Sequence, residues 1–410
     1  MKENIFELTT AQLKGVAENL QIKIEEGLKK ENKEILCIPT HITASDVVKE
    51  EKVLALDWGG TNFRAAIVEF KSGKASIIEE LPVKDKDGNK YSYKLSKDET
   101  VGFDGEKLCK QMVEWIARLE KLDASVTKIG YCFSYPAASR LNGDAILLRW
   151  PKGIDIPDMI NKPVGEMLLS YLNNAKGINT EFKEIKVIND TVACLFAGLN
   201  ETGYDSYIGL IVGTGTNMAS LMPRNEITKL GSSSADLIPV NLESGNFNPP
   251  YLTVVDGLVD AMSNNKGNQR FEKAVSGGYL GEVFKTVFSD KKIKYDFDGG
   301  DLAQMMDEPK NNPEDQVNVA NWIYARSAKL VAASIAGLAN VLIAQNPKAK
   351  NICLAADGSV FWGKNAAGKN PHKDIVAKEL EALLPDGVKI TIINEMVKPN
   401  LVGAAIAALS

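Results

Sequence analysis

Two glycine-threonine loops, each opening from an apolar run of strand length, constrain this chain most. The first is Asp57-Trp58-Gly59-Gly60-Thr61-Asn62-Phe63-Arg64, after Val53-Leu54-Ala55-Leu56. The second is Gly213-Thr214-Gly215-Thr216-Asn217, after Ile208-Gly209-Leu210-Ile211-Val212. Glycine lets backbone approach a ligand closely, and consecutive N–H groups in such a turn form a concave anion site. Threonine adds a hydroxyl donor. Two such loops, far apart in the sequence with Asn189-Asp190-Thr191 between them, point to two half-sites for one polyphosphate.

The 410 residues suggest two or three domains. The formal net charge of −5 gives no support for nucleic-acid binding. The five cysteines are scattered without a CxxC pair, so neither a disulfide framework nor a zinc knuckle is indicated; they read as small buried hydrophobes. Met1-Lys2-Glu3-Asn4 carries acid and no long apolar core follows, so no secretory leader is expected. The longest apolar stretch, Leu330 to Ala344, is interrupted by Ser334, Gly337 and Asn340 and reads as a buried helix rather than a membrane span. A cytoplasmic protein without membrane partners is the expectation. With only His41 and His372, a His-rich metal site is excluded and a Ser-His-Asp triad has no support; acid–base chemistry falls to carboxylates or lysine.

Along the chain, 9–30 reads as a helix with Thr9 and Gln12 as a capping box. Val53 to Leu56, Phe63 to Phe70 and Ala75 to Leu81 read as a strand meander, and 84–100 as an exposed loop. A helix over 104–121, a strand from Ile129 to Phe133, a helix over 162–175, a strand from Ile185 to Ile188 and a helix from Val192 to Leu199 follow. A second meander runs from Ile208 to Met222, helices dominate 253–345, and strands at Ile352 to Ala356 and Val388 to Ile393 precede a helix from Leu401 to Leu409. This order occurs twice, with a phosphate-loop candidate at the first hairpin of each copy. It predicts two α/β domains facing across a cleft.

Eight motifs in order carry a resemblance that spans almost the whole chain. They are Leu56 to Arg64, Phe133-Ser134-Tyr135-Pro136, Trp150-Pro151-Lys152-Gly153, Asn189-Asp190-Thr191-Val192, Gly209 to Asn217, Asn241-Leu242-Glu243-Ser244-Gly245, Phe271-Glu272-Lys273 to Gly281-Glu282, and Asp357-Gly358-Ser359. The chain resembles the eukaryotic-type hexokinases. That resemblance implies an α/β fold of two ribonuclease H-like (actin-like ATPase) domains, small and large, around a deep cleft. Expected boundaries are 53–189 plus 399–410 for the small domain and 1–52 plus 190–398 for the large one. It also implies transfer of the γ-phosphoryl of ATP, with Mg²⁺, to the 6-hydroxyl of a hexose.

The resemblance assigns residues as follows. Asp190 is the general base, although an Asp between strand and helix is also a common helix cap. Lys152 joins it as a catalytic and sugar-binding residue. Ser134, Asn189, Asn217, Glu243 and Glu282 are the remaining hexose ligands. Asp57, Gly59, Gly60, Thr61, Asn62 and Arg64 form the first phosphate loop, with Asp57 reaching Mg²⁺ through water and Arg64 steadying phosphate charge. Gly213, Thr214, Gly215 and Thr216 form the second loop, and Asp357, Gly358 and Ser359 meet the adenosine. Pro151 stands where the family usually has Thr, Ser244 and Asn246 stand where Trp and Ala are usual, and Ser139 replaces a Gln. These departures leave the sugar open: glucose, mannose, fructose or an amino sugar. A sugar sensor without catalysis and a structural actin-like ATPase are the rival classes, and both a monomer and a homodimer are compatible with the sequence.

Overall fold

The computed structural model describes residues 3–43, 50–151 and 153–410. The chain divides into two units: Met1–Cys37, Gly203–Ala235 and Leu242–Glu395 form the first, and Ile38–Thr202, Asp236–Asn241 and Met396–Ser410 the second. Contacts therefore group 38–52, 190–202, 236–241 and 396–398 with the second unit, where the sequence boundaries had assigned them to the large domain. The helix Asp190–Gly198 belongs there because it packs closely along the C-terminal helix Pro399–Leu409.

The second unit is built on a five-stranded sheet in the order Lys74–Glu80, Phe63–Lys71, Glu51–Trp58, Lys128–Phe133, Glu184–Ile188. The first three strands pair antiparallel as the expected meander, and the last two run parallel to Glu51–Trp58. The apolar run Val53 to Leu56 is wholly buried, as a strand covered on both faces requires. Alternation then sorts its side chains. Leu54, Leu56 and Trp58 join a core with Leu108, Met112, Trp115 and Leu168 from the helices Gly105–Ile116 and Val164–Asn173. Asp57 points to the opposite face, which Pro399–Leu409 covers.

In the first unit the strands run in the order Thr216–Pro223, Ser206–Val212, Asn351–Asp357, Lys389–Ile392. The first two form a hairpin, and Asn351–Asp357 runs parallel to both its neighbours. A hairpin with a parallel strand at its side thus recurs in each unit, as the repeated element order predicts. The helix Glu314–Gln345 is long and apolar enough to cross a membrane, yet 78% of its apolar window is buried inside the protein; it packs between Thr10–Lys29 and Pro371–Leu383 as a core helix. Thr9 and Gln12 form the expected capping box, and all five cysteines are buried. Two short strands, Ala137–Ser139 and Ala145–Leu147, lie in a stretch for which the sequence predicts none.

Candidate active site

In the second unit, the turn of the first hairpin carries Gly59 to Asn62. Asp57 and Arg64 are register partners across that hairpin, so their side chains emerge side by side. Arg64 Nη1 donates to Asp57 Oδ2 at 2.7 Å, and Asn400 Nδ2 donates to Oδ1 at 3.3 Å. Burial pushes the Asp57 carboxyl upward, the Arg64 hydrogen bond and charge pull it back, and the negative charge of Asp190 adds to the upward push, for a net rise. Arg64, expected to steady phosphate charge, thus has one guanidinium nitrogen on Asp57 while its side chain remains 54% exposed.

The loop is held from below. Tyr135 Oη donates to the Gly60 carbonyl at 3.3 Å, and Trp58, Phe133, Tyr135 and Trp150 form an aromatic cluster beneath it. A Cβ on Gly59 would come within 2.4 Å of Ser134 Oγ. Glycine at 59 is what lets Ser134 sit against the loop. A Cβ on Gly60 would meet nothing within 4 Å, so its outer side is open. The Thr61 carbonyl accepts from Leu95 N–H at 2.8 Å, which ties the 84–100 segment to the loop.

The strand Glu184–Ile188 leads into Asn189-Asp190-Thr191 on the same unit. Asn189 is the N-cap: its Oδ1 accepts from Thr191 N–H at 2.8 Å. Asp190 stands one residue inside the helix, where Oδ1 accepts from the same N–H at 2.8 Å and from the Thr191 hydroxyl at 3.3 Å. Asn189 holds the N-cap position, and the two side chains share the Thr191 N–H. Among the described residues no cation pairs with Asp190. Burial, with the charges of Asp57 and Asp190, holds the Cys132 thiol far above its usual range; it is a neutral neighbour and not a nucleophile. Lys152 lies outside the described residues.

The second loop, in the first unit, is knit into its surroundings through its carbonyls. Val360 and Phe361 N–H groups donate to Val212 O at 3.1 Å, Gly277 N–H to Gly213 O at 2.7 Å, and Gly278 N–H to Thr214 O at 3.1 Å. Neighbouring donors occupy the carbonyls, and Thr214 at the tip is exposed. Asp357-Gly358-Ser359 lies against the base of the same loop: Gly358 adopts φ +114°, and a Cβ there would fall 2.3 Å from the Val212 carbonyl oxygen and 2.7 Å from Gly213 N.

The carboxylates of this unit depart from expectation. Glu282 lies on the outer side of the helix Gly277–Val287, half exposed, with Lys285 Nζ at 2.8 Å. Glu272, in the same sequence motif, is the carboxylate that reaches the second loop: its Oε2 accepts from Thr216 N–H at 3.1 Å. Gly215 makes room, since a Cβ there would fall 2.6 Å from that oxygen. Burial raises the Glu272 carboxyl, the Thr216 hydrogen bond opposes this, and the charge of Glu243 raises it further. Glu243 itself sits at φ +55°, ψ +46°, left-handed backbone that a branched-chain-free but non-glycine residue rarely adopts. Asn217 helps to impose it, with Oδ1 accepting from Ser244 N–H at 3.0 Å and from Met218 N–H at 2.8 Å. Asn217 therefore braces the Glu243 turn. Lys273, buried, donates to Asp260 at 2.7 Å and fixes the short helix Arg270–Val275 that carries Glu272.

Two family models, both described as hexokinase, match residues 2–199 and 207–311. Hexokinase-1 of Saccharomyces cerevisiae is 29% identical over 410 residues, covering 88% of this chain and 81% of that protein. Hexokinase-2 of Rattus norvegicus is 31% identical over 300 residues, 70% of this chain and 31% of that much longer protein. Among solved structures, the Schistosoma mansoni hexokinase complexed with glucose matches with a TM-score of 0.77 at 22% identity, over 99% of this chain and 96% of that one. A ROK hexokinase from Thermus thermophilus matches with a TM-score of 0.54 at 16% identity, over 87% and 97%. The fold is that of the two-domain actin-like sugar kinases, and the chain belongs to the hexokinase family. It is a sugar-phosphorylating enzyme.

Proposed function

We propose that this hexokinase transfers the γ-phosphoryl of ATP to the 6-hydroxyl of a hexose, glucose foremost, with Asp190 as general base. The observation that carries the reading is the placement of the Asp190 carboxylate at the start of its helix, with both its bonds to Thr191 falling on Oδ1 and its charge acting on Asp57. The hydroxyl proton passes to Asp190 as its oxygen bonds to the γ-phosphorus, and the bond from that phosphorus to the β,γ-bridging oxygen breaks to release ADP. The two glycine-threonine loops serve as amide donors to the phosphates.

For the sugar hydroxyls we assign Ser134, Asn189, Glu243 and Glu272. Glu272 takes the place of Glu282 in this assignment because it reaches the second loop, whereas Glu282 pairs with Lys285 at the surface. Two neighbouring carboxylates suit vicinal hydroxyls, which donate to both. The glucose bound in the Schistosoma mansoni enzyme supports glucose as the first substrate to test.

Mg²⁺ fits the first loop. Asp57 offers a carboxylate, Gly60 is open on its outer side, and the Asn400 Oδ1 acceptor is buried without a partner among the described residues. No described cluster of three or more His, Cys, Asp or Glu side chains is placed to hold a metal, which suits a cation that keeps its waters and arrives with the nucleotide. Held through water by Asp57, it would neutralise charge on the phosphates.

The test is Asp190→Asn. Turnover should fall by a factor of about 10³ or more, given that general-base contributions run to roughly 10²–10⁴, while sugar binding measured by calorimetry stays within about threefold. Turnover retained at the wild-type level would remove Asp190 from the role.

A further inference from the structure

The C-terminal helix Pro399–Leu409 returns to the first loop and is held there backbone to backbone. A Cβ on Gly403 would fall 1.8 Å from the Ala193 carbonyl, and one on Gly130 would fall 1.8 Å from that of Ala404. No side chain separates these segments. Lys398 turns the chain at φ +52°, and Pro399 opens the helix. Asn400, in the first turn, is thereby fixed over the strand end that carries Asp57.

Its amide does two different things. Nδ2 donates to Asp57 Oδ1 while Arg64 holds Oδ2, so both carboxylate oxygens are fixed from separate elements. The opposite amide orientation would set carbonyl oxygen against carboxylate, so the hydrogen-bond pattern itself selects this one. Oδ1 is then turned away from Asp57, buried, with no hydrogen-bond partner among the described residues. A buried acceptor left unpaired is costly.

We propose that Asn400 is a positioning residue for the divalent cation that accompanies the nucleotide, orienting Asp57 through Nδ2 and accepting through Oδ1 from a water on that cation. This rests on the kinase reading above. Loss of a partner that orients a metal-binding group typically costs about 10- to 100-fold in metal affinity or activity. Arg64 cannot substitute, because it has donors only.

The experiment uses the full chain, with Mn²⁺ as probe and a non-hydrolysable ATP analogue, read by electron paramagnetic resonance. In Asn400→Leu, which keeps the branching and the number of side-chain heavy atoms and removes both polar atoms, Mn²⁺ binding in the ternary complex should weaken about tenfold, the low end for loss of such a partner. Sugar affinity and thermal midpoint should stay at wild-type values. Asn400→Ser, smaller and easily accommodated, should shift Mn²⁺ in the same direction. Wild-type Mn²⁺ affinity in both variants would overturn the proposal, as would equal losses in Mn²⁺ and sugar binding, which would mark a purely structural tie. The readout needs no turnover. A wild-type protein that binds Mn²⁺ and nucleotide yet phosphorylates no sugar would overturn the kinase reading, and the Asn400 comparison would still stand or fall by itself.

Discussion

At the scale of single residues, the most informative pair is Glu272 and Glu282. Both lie in one motif, ten positions apart, yet one accepts from the second loop and the other pairs with Lys285 in solvent. Glu272→Gln should weaken sugar binding about 10- to 100-fold, the range expected for a hydrogen bond to a charged group. Glu282→Gln should change it less than about twofold, as for an exposed ion pair. Calorimetric titration of both variants with glucose checks this; equal effects would undo the assignment. The two glutamates could not be separated in the sequence, because the choice depends on the interruption of the helix at Ser276 and on the space left by Gly215. The signal that was available is the apolar Phe271 beside Glu272, which marks that turn as facing the core; the burial of Lys273 was not legible. Asn400 carried no signal at all in Val-Lys-Pro-Asn. Arg64 was legible as a functional position, but its partner follows from strand register, which a sequence read singly leaves undetermined.

At the scale of elements, more could be read. The apolar runs and the Thr9 box located the hairpins and the first helix because local chemistry alone decides them. The core helix Glu314–Gln345 adds a testable property. Ser327 on it donates to Val275 O at 2.7 Å, so its hydroxyl accepts from His372 Nε2 at 3.1 Å. His372 is fully buried, and burial lowers it from 6.5 to about 3. It is neutral in the fold and protonates readily once unfolded. Its contribution is therefore fully present above pH 6.5 and is lost as pH falls from 6.5 toward 3. Over that window stability should decline by about 1.4 kcal/mol per pH unit from this group alone. Urea midpoints across the window should show a correspondingly shallower decline in His372→Gln; an unchanged slope would mean that other groups control acid unfolding.

At the scale of the whole molecule, the repeated hairpin and parallel strand place a glycine-threonine loop in each unit, and the duplication in the sequence anticipated this. The carbonyls of the second loop are taken by Gly277, Gly278, Val360 and Phe361, while the first is backed by aromatic rings and braced by the last helix. Each loop is thus made rigid by residues distant in sequence, which is why the loops were visible in the sequence and their supports were not. The central claim is that these parts serve phosphoryl transfer from ATP to a sugar. Its most direct test is ADP release by the purified protein with MgATP, across glucose, mannose, fructose, glucosamine and N-acetylglucosamine. The account predicts sugar-dependent release, greatest with glucose and absent in Asp190→Asn. Release that is the same with and without every sugar, or none with any of them from protein that still binds glucose, would contradict it.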